Sequence, residues 1–380
     1  MKKILIVSLV ASALLTGCTG GQKTASTLTE SGLNPENFNT EVNGAQTQLF
    51  VLKNKNNMEV CVINFGGRIV SVMVPDRDGV LRDVVLGFDS IQDYVKYPSD
   101  FGASIGRYAN RINQGKFTLD GIEYQLPRNN YGHCLHGGPK GFQYVVYTGT
   151  QISDQELKLT YQAKDMEEGF PGNLACTVTM KLTDDNAIDL NYEAETDKPT
   201  IINMTNHSYF NLDGNPAQNN ADYLLTVNAD SYTPVDSTFM TTGEIVPVEG
   251  TPMDFRKPTA IGLQIDQNFE QLRNGHGIDH NWVLNTQGDI NQICASLKSP
   301  KTGIKLDVYT DEPGIQVYCG NFLDGTLSGK KEIQYNFRAS VCLETQKYPD
   351  TPNKPEWPSC VLRPGEKYTS HTIFRFSTDK

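Results

Sequence analysis

His207 sits in Asn203-Met-Thr-Asn-His-Ser-Tyr-Phe-Asn-Leu212, among hydroxyl and amide side chains with no cysteine or second histidine beside it. Imidazole titrates near neutral pH, so this placement has two readings. It is either a buried ring held by ordinary hydrogen bonds or a proton donor facing a cleft. With period two, Asn203, Thr205, His207 and Tyr209 project to one side as a polar or amphipathic row that suits a cleft wall. A second candidate ends an apolar strand. Ala339-Ser-Val-Cys-Leu-Glu-Thr-Gln346 places Ser340, Cys342 and Glu344 on one face, opposite Val341, Leu343 and Thr345. Glu344 is either in water at the strand end or held semi-buried, where its raised pKa makes it a usable base.

Gly314-Ile-Gln-Val-Tyr-Cys-Gly-Asn-Phe322 puts Gln316, Tyr318 and Gly320 on one side. That row suits hydrogen bonding and stacking with a sugar near the backbone, or the polar outer face of an edge strand. His133 and His136 lack a third ligand at a recognisable spacing, so no metal is expected there. His276 and His280 read as structural. Asp254, in Thr251-Pro-Met-Asp-Phe-Arg256, and Arg111, in Gly106-Arg-Tyr-Ala-Asn-Arg-Ile112, would each be a surface charge in isolation. Taken together, the set is a histidine, a carboxylate base, a second carboxylate, an arginine and amides. No GxSxG elbow, P-loop or dinucleotide fingerprint accompanies it. It matches acid/base chemistry on a neutral polyol.

Strands must position these groups. Phe117 to Leu126 alternates on both sides of Asp120-Gly121, a hairpin signal, and Arg68 to Phe88 repeats the pattern around Asp76-Arg-Asp-Gly79. Further strands are expected at 156–163, 174–182, 187–194, 223–229, 303–309, 314–322, 339–345 and 369–376. Helical periodicity is nearly absent, with short helices expected only at 91–97 and 261–272. Many short strands separated by Gly, Pro, Asn and Asp indicate an all-β antiparallel sandwich or barrel, whose sheets can leave one face open to a ligand.

The first residues, MKKILIVSLVASALLTGC, read as an export segment: two lysines, a short apolar run, then Leu15-Thr-Gly-Cys18. That ending resembles the lipobox of bacterial lipoproteins, which implies a signal peptide over 1–17 and lipid on Cys18. Residues 18–44 are poor in large apolar side chains and are expected to form a flexible tether. A single domain is expected over 45–380. Formal charge is −11, from 33 Lys+Arg against 44 Asp+Glu, and loss of the export segment makes the chain more acidic still. Such a surface excludes nucleic acid as a partner and leaves acyl chains as the membrane contact. Eight cysteines contain no CxxC pair, so zinc is not expected, and no disulfide can be assigned.

The chain resembles the aldose 1-epimerase, or galactose mutarotase, family. The resemblance runs over roughly 48–378 through FGASIGRYANRI, CLHGG, EEGFPG, TNHSYFNL, SYTPVDSTFMTTGEI, DFRKP, GIDHNWVL, PGIQVYCGNFLDGT, CLETQKYPD and LRPGEKY. It implies a large antiparallel β-sandwich with the sugar site on a concave sheet face. It also implies Glu344 as general base and His207 as general acid. Asn110, Arg111, His136, Asp254 and Gln316 become substrate-binding residues, with Asp254 holding the sugar through DFRKP. The implied reaction interconverts the α and β anomers of a free hexose, with D-glucose or D-galactose as substrate. No cofactor or catalytic metal is required. A non-catalytic calcium ion is allowed, though no loop carries an EF-hand pattern. A monomer is expected, with a dimer left open. The family is commonly cytosolic, whereas this N-terminus implies export and anchoring to a bacterial membrane, facing the periplasm.

Three alternatives stay open on sequence. A glycosidase would use Asp254 and Glu344 as its carboxylate pair. A hexose-phosphate epimerase would need basic residues such as Arg107, Arg128 or Lys140 near the substrate. A sugar-binding module would bind hexose without turning it over.

Overall fold

Asp120 and Gly121 both adopt left-handed backbone (φ 50 and 80), and the flanking strands Lys116–Leu119 and Ile122–Gln125 pair antiparallel around them. Positive φ at both central residues matches the right-handed strand twist, which is why Asp-Gly nucleates this hairpin. Arg68–Pro75 and Leu81–Asp83 are joined by a second device. The Asp76 carboxylate accepts from the N–H groups of Asp78 (3.0 Å) and Val80 (2.9 Å) and from Arg82 Nε (2.9 Å), fixing the turn. With Leu49–Lys53 and Glu59–Ile63 these strands form a four-stranded sheet. The computed structural model describes residues 28–379.

Two larger antiparallel sheets carry the core. The nine-stranded sheet runs in the order Thr148–Ser153, Glu156–Ala163, Leu174–Leu182, Ala187–Thr196, Tyr368–Thr378, Ile304–Thr310, Ala295–Lys298, Leu224–Val227, Thr259–Ala260. Period two is explicit in Leu174–Leu182, where Leu174, Cys176, Val178, Met180 and Leu182 are buried while Ala175 and Lys181 are exposed. The six-stranded sheet is ordered Tyr209–Phe210, Val341–Gln346, Gly314–Tyr318, Asp279–Val283, Ser231–Thr233, Val246–Pro247. Its Val341, Leu343, Ile315, Val317 and Trp282 share one apolar cluster with Val178, Met180, Leu190, Val308 and Phe374 of the larger sheet. Alternation therefore turns Cys342, Glu344, Gln316, Tyr318 and Asp279 away from that core. This is the expected all-β architecture.

The expected tether is corrected in its second half. Leu33 and Phe38 are fully buried in a cluster with Leu49, Val70 and Phe88. Ser31 Oγ donates to Ser71 Oγ (3.0 Å), and Glu41–Val42 pairs with Ala45–Gln46. Two apolar residues in a polar run are too sparse to signal packing by composition, yet they suffice to anchor it. The export segment and Cys18 lie outside the described residues. Ile91–Lys96 is a helix whose Ser90 caps the N–H of Asp93, while 261–272 divides into Ile261–Gln264 and the start of Glu270–Asn274. The seven described cysteines are buried free thiols.

Candidate active site

Register across the six-stranded sheet builds the floor of a cavity. Glu344 stands opposite Gln316, and Gln316 opposite Asn281. In the adjoining row Tyr209, Cys342, Tyr318 and Asp279 follow one another across four strands. Cross-strand neighbours on one face stand about 5 Å apart, so Glu344, Gln316 and Asp279 converge without help from a loop. Gln316 Nε2 donates to Asp279 Oδ1 at 2.7 Å.

Two short ladders supply the facing wall. Thr205–His207 pairs with Ala103–Ile105 and presents His207, whose Nε2 lies 3.5 Å from Glu344 Oε1. The Tyr209 ring stacks on the imidazole (centres 5.0 Å apart, planes at 19°), and His136 meets it edge-on at 5.1 Å. Tyr209 therefore braces the plane of His207. The second ladder, Arg111–Ile112 with Cys134–Leu135, brings in Arg111 and His136. Backbone at Asn110 and His136 is left-handed (φ 60 and 51). Such conformations cost about 1–3 kcal/mol each and gather where side chains must be aimed.

Those turns set a tautomer. The Asn110 N–H donates to His136 Nδ1 at 3.1 Å, and Asn110 Oδ1 accepts from the Arg111 N–H at 2.8 Å. An accepting Nδ1 leaves the ring proton on Nε2, so His136 is a neutral N–H donor. Burial acts the same way, holding its pKa down to about 3. Arg111 donates from Nε (3.1 Å) and Nη2 (2.9 Å) to Asn130 Oδ1 and lies over the Phe239 ring. The cavity measures about 240 Å³, with Tyr131 and Phe322 at its rim and Asp100 in its wall.

Burial dominates the electrostatics. It raises the Glu344 carboxyl well above the usual carboxylate range; the negative charges of Asp279 and Asp100 push the same way, against the pull of Arg111. The His207 imidazolium is lowered by burial and supported by Asp100. Asp279 is raised by burial, opposed by Arg111 and by the Gln316 hydrogen bond. Glu344 Oε2 has no hydrogen-bond partner among the described residues. A buried acceptor left so is costly until a donor arrives, and a hydroxyl is such a donor.

Five of the sequence candidates, Asn110, Arg111, His136, His207 and Glu344, line this one cavity, and Gln316 stands behind it through Asp279. Asp254 is elsewhere, and that expectation is corrected. Its carboxylate is held by Arg256 two residues on, through Nη2 (2.7 Å) and Nε (2.9 Å), beside a separate surface depression. Besides Glu344 and Asp100, the cavity is lined by Asp279, which sequence reasoning missed within His276-Gly-Ile-Asp-His280. Alternation carried the signal: His280 and Trp282 are buried toward the core, which turns Asp279 and Asn281 the other way. His133 is used up structurally, accepting from the Gln114 N–H and bonding Thr238 Oγ1. Asp100 was also missed, since it lies in a loop without periodicity.

A sandwich whose sheet face sets a buried carboxylate against an imidazole, ringed by amides and one arginine, defines an acid/base site for a neutral polyhydroxy ligand. Residues 48–375 match the family model described as aldose 1-epimerase, and the chain belongs to that family. It is 42% identical over 334 residues to the galactose mutarotase of Mus musculus, covering 88% of this chain and 95% of that protein. Identity to the aldose 1-epimerase of Escherichia coli (strain K12) is 38% over 335 residues, covering 88% and 96%. A solved aldose epimerase homologue from C. elegans superposes with a TM-score of 0.80 at 29% identity, over 88% of this chain and 100% of that one.

Proposed function

We propose that the protein interconverts the α and β anomers of free hexoses by acid/base ring opening and reclosure. The observation that carries this is the 3.5 Å approach of His207 Nε2 to Glu344 Oε1 on a buried cavity floor. The two oxygens of a hemiacetal share one carbon, so the groups that serve them must be close neighbours. Glu344, as carboxylate, takes the proton of the C1 hydroxyl while His207, as imidazolium, gives one to the ring oxygen. The C1–O5 electrons pass to O5, and C1 becomes an aldehyde. Rotation about C1–C2 presents the other carbonyl face, and the two protons return as the ring closes. Each positioned transfer contributes roughly 10²–10⁴-fold.

His136, through its Nε2–H, and Arg111 support the ring-oxygen side. Asp279, braced by Gln316, takes the sugar-holding role expected of Asp254, and Asn110 sets the turn that aims His136 and Arg111. Fixing the remaining hydroxyls confines motion to the C1 end. The chemistry draws on side chains alone, without metal or redox cofactor. Optical rotation of freshly dissolved α-D-glucose and α-D-galactose should relax faster with purified protein than in buffer; relaxation at the buffer rate leaves only a sugar-binding module.

The rivals lose their residues. Asp254 and Glu344 do not share a cavity, so the carboxylate pair expected of a glycosidase is not assembled. Arg107, Arg128 and Lys140 do not line the Glu344 cavity, so none of them meets a phosphate carried by a sugar held there. We also propose that Cys18 carries lipid and that the reaction takes place outside the cytoplasm. Labelled palmitate should enter the wild-type chain and not Cys18→Ala; equal labelling would refute the anchor.

A further inference from the structure

Asp100 belongs to no motif, yet it stands in the wall between the Glu344 cavity and a neighbouring depression bordered by Pro98, Leu135 and Tyr144. One of its carboxylate oxygens, one His136 ring nitrogen and one His207 ring nitrogen lie within 4.8 Å of one another. The loop holding it is locked in place. Arg68, fully buried, donates to the carbonyls of Ser99 (2.9 Å) and Phe101 (3.0 Å) on either side of Asp100, and to that of Gln143 (2.8 Å). Its two terminal amino groups are thus committed to main chain. The Ala103 N–H donates to Asp100 O (3.0 Å), and the Gly102 N–H donates to His207 O (3.0 Å). Gly102 has φ +68 and an added Cβ would lie 2.0 Å from Ile69 O, so the chain is pinned where Asp100 meets the histidine strand.

We propose that Asp100 is a positioning residue, a fixed negative charge set against the His136–His207 pair that keeps a proton available on His207 for the ring oxygen. This rests on the acid role given to His207 above. The groups facing that ring are Arg68 from Arg68–Pro75, Asp100 and His136 from their loops, Glu344 from Val341–Gln346, and the Tyr209 and Tyr318 phenols. Arg111 acts on His136, and Arg111 and Asp279 act on Glu344 beside it. Among the described residues, Asp100 is the carboxylate whose charge supports the His207 imidazolium, and it opposes both burial and Arg68. The same charge also raises Glu344.

Removing that charge lowers the titration of both groups, so both limbs of the rate–pH profile move to lower pH, whichever group sets each limb. Asp100→Asn should shift the bell of kcat/KM acidward by about one pH unit, a loss of roughly tenfold on the alkaline limb. Asp100→Glu, which restores the charge, should return the limbs toward their original place. Isotope-edited NMR titration of the His207 imidazole in the full chain should show the same downward movement in Asp100→Asn. A lowered plateau with unmoved limbs, or an unmoved His207 titration, overturns the proposal and leaves the acid role of His207 standing. A His207→Asn variant with wild-type turnover overturns both.

Discussion

Glu344→Gln separates the chemistry of the carboxylate from its packing. Glu344 is 2% exposed and registered beside Gln316, and an amide fills the same volume. The Gln carbonyl can still accept the C1 hydroxyl bond, so KM should change little. Turnover should fall by roughly 10²–10⁴, the worth of one positioned base, equivalent to about 3–5 kcal/mol in the barrier. Stability should move the other way. The folded-state pKa of Glu344 is raised above its unfolded value, chiefly by burial. Its favourable contribution is therefore complete below the unfolded pKa. It is lost as pH rises through the folded one, at about 1.4 kcal/mol for every tenfold difference between the two acid constants. The neutral amide escapes that cost. Melting temperature at pH 8 should rise by on the order of 1–3 °C per kcal/mol regained. Polarimetry with α-D-galactose reads the first effect and calorimetry the second. Near-wild-type turnover, or a variant less stable than the parent at pH 8, would refute the reasoning.

Asp279→Asn should weaken hexose binding, raising KM about tenfold or more for loss of a charge-assisted hydrogen bond, whereas Asp254→Asn should leave kcat and KM within about twofold of the parent, because its carboxylate serves only Arg256 and its neighbours. Equal damage from both substitutions would reverse their assignment. Phe38→Ala should destabilise the fold by about 3–5 kcal/mol, as for other buried aromatics, with activity retained below the melting transition. A denaturant midpoint unchanged by that substitution would return residues 28–44 to the status of a tether.

Period-two alternation carried most of the architecture. The strands at 156–163 and 174–182 fall on their expected residues, and the Asp120-Gly121 turn has the backbone its residue types demand. The same count put Glu344 opposite the core and His207 on a cleft wall. It failed where information is not local. Alternation turns Asp279 away from the core, yet only strand pairing shows that it registers with Tyr318 while Asp254 bends onto Arg256. Asp100 depends on Arg68, far back in the chain, to hold its loop by the carbonyls, a relation no spacing rule encodes. Tyr209 was legible as facing the site but not as stacked on His207, because ring orientation is a tertiary property.

The environment of the acid and base bears directly on the reaction. Burial drives Glu344 toward the carboxylic acid and His207 toward the neutral imidazole, yet the proposed ring opening begins from carboxylate and imidazolium. Those two descriptions differ only in where one proton sits; their net charge is the same. The substrate is neutral as hemiacetal and neutral as open aldehyde. In the proposed mechanism opening therefore moves a proton from C1–OH to Glu344 and another from His207 to O5, and converts a buried charged pair into a buried neutral one. The desolvation that opposes the charged pair beforehand is relieved during the step, which favours bond breaking inside the cavity over the same event in water. Reclosure must rebuild the charges, and the groups around them serve that direction: Arg111 lowers Glu344, and Asp100 supports His207. A site made wholly apolar would open the ring and stall. One made wholly polar would hold the ions too well to discharge them.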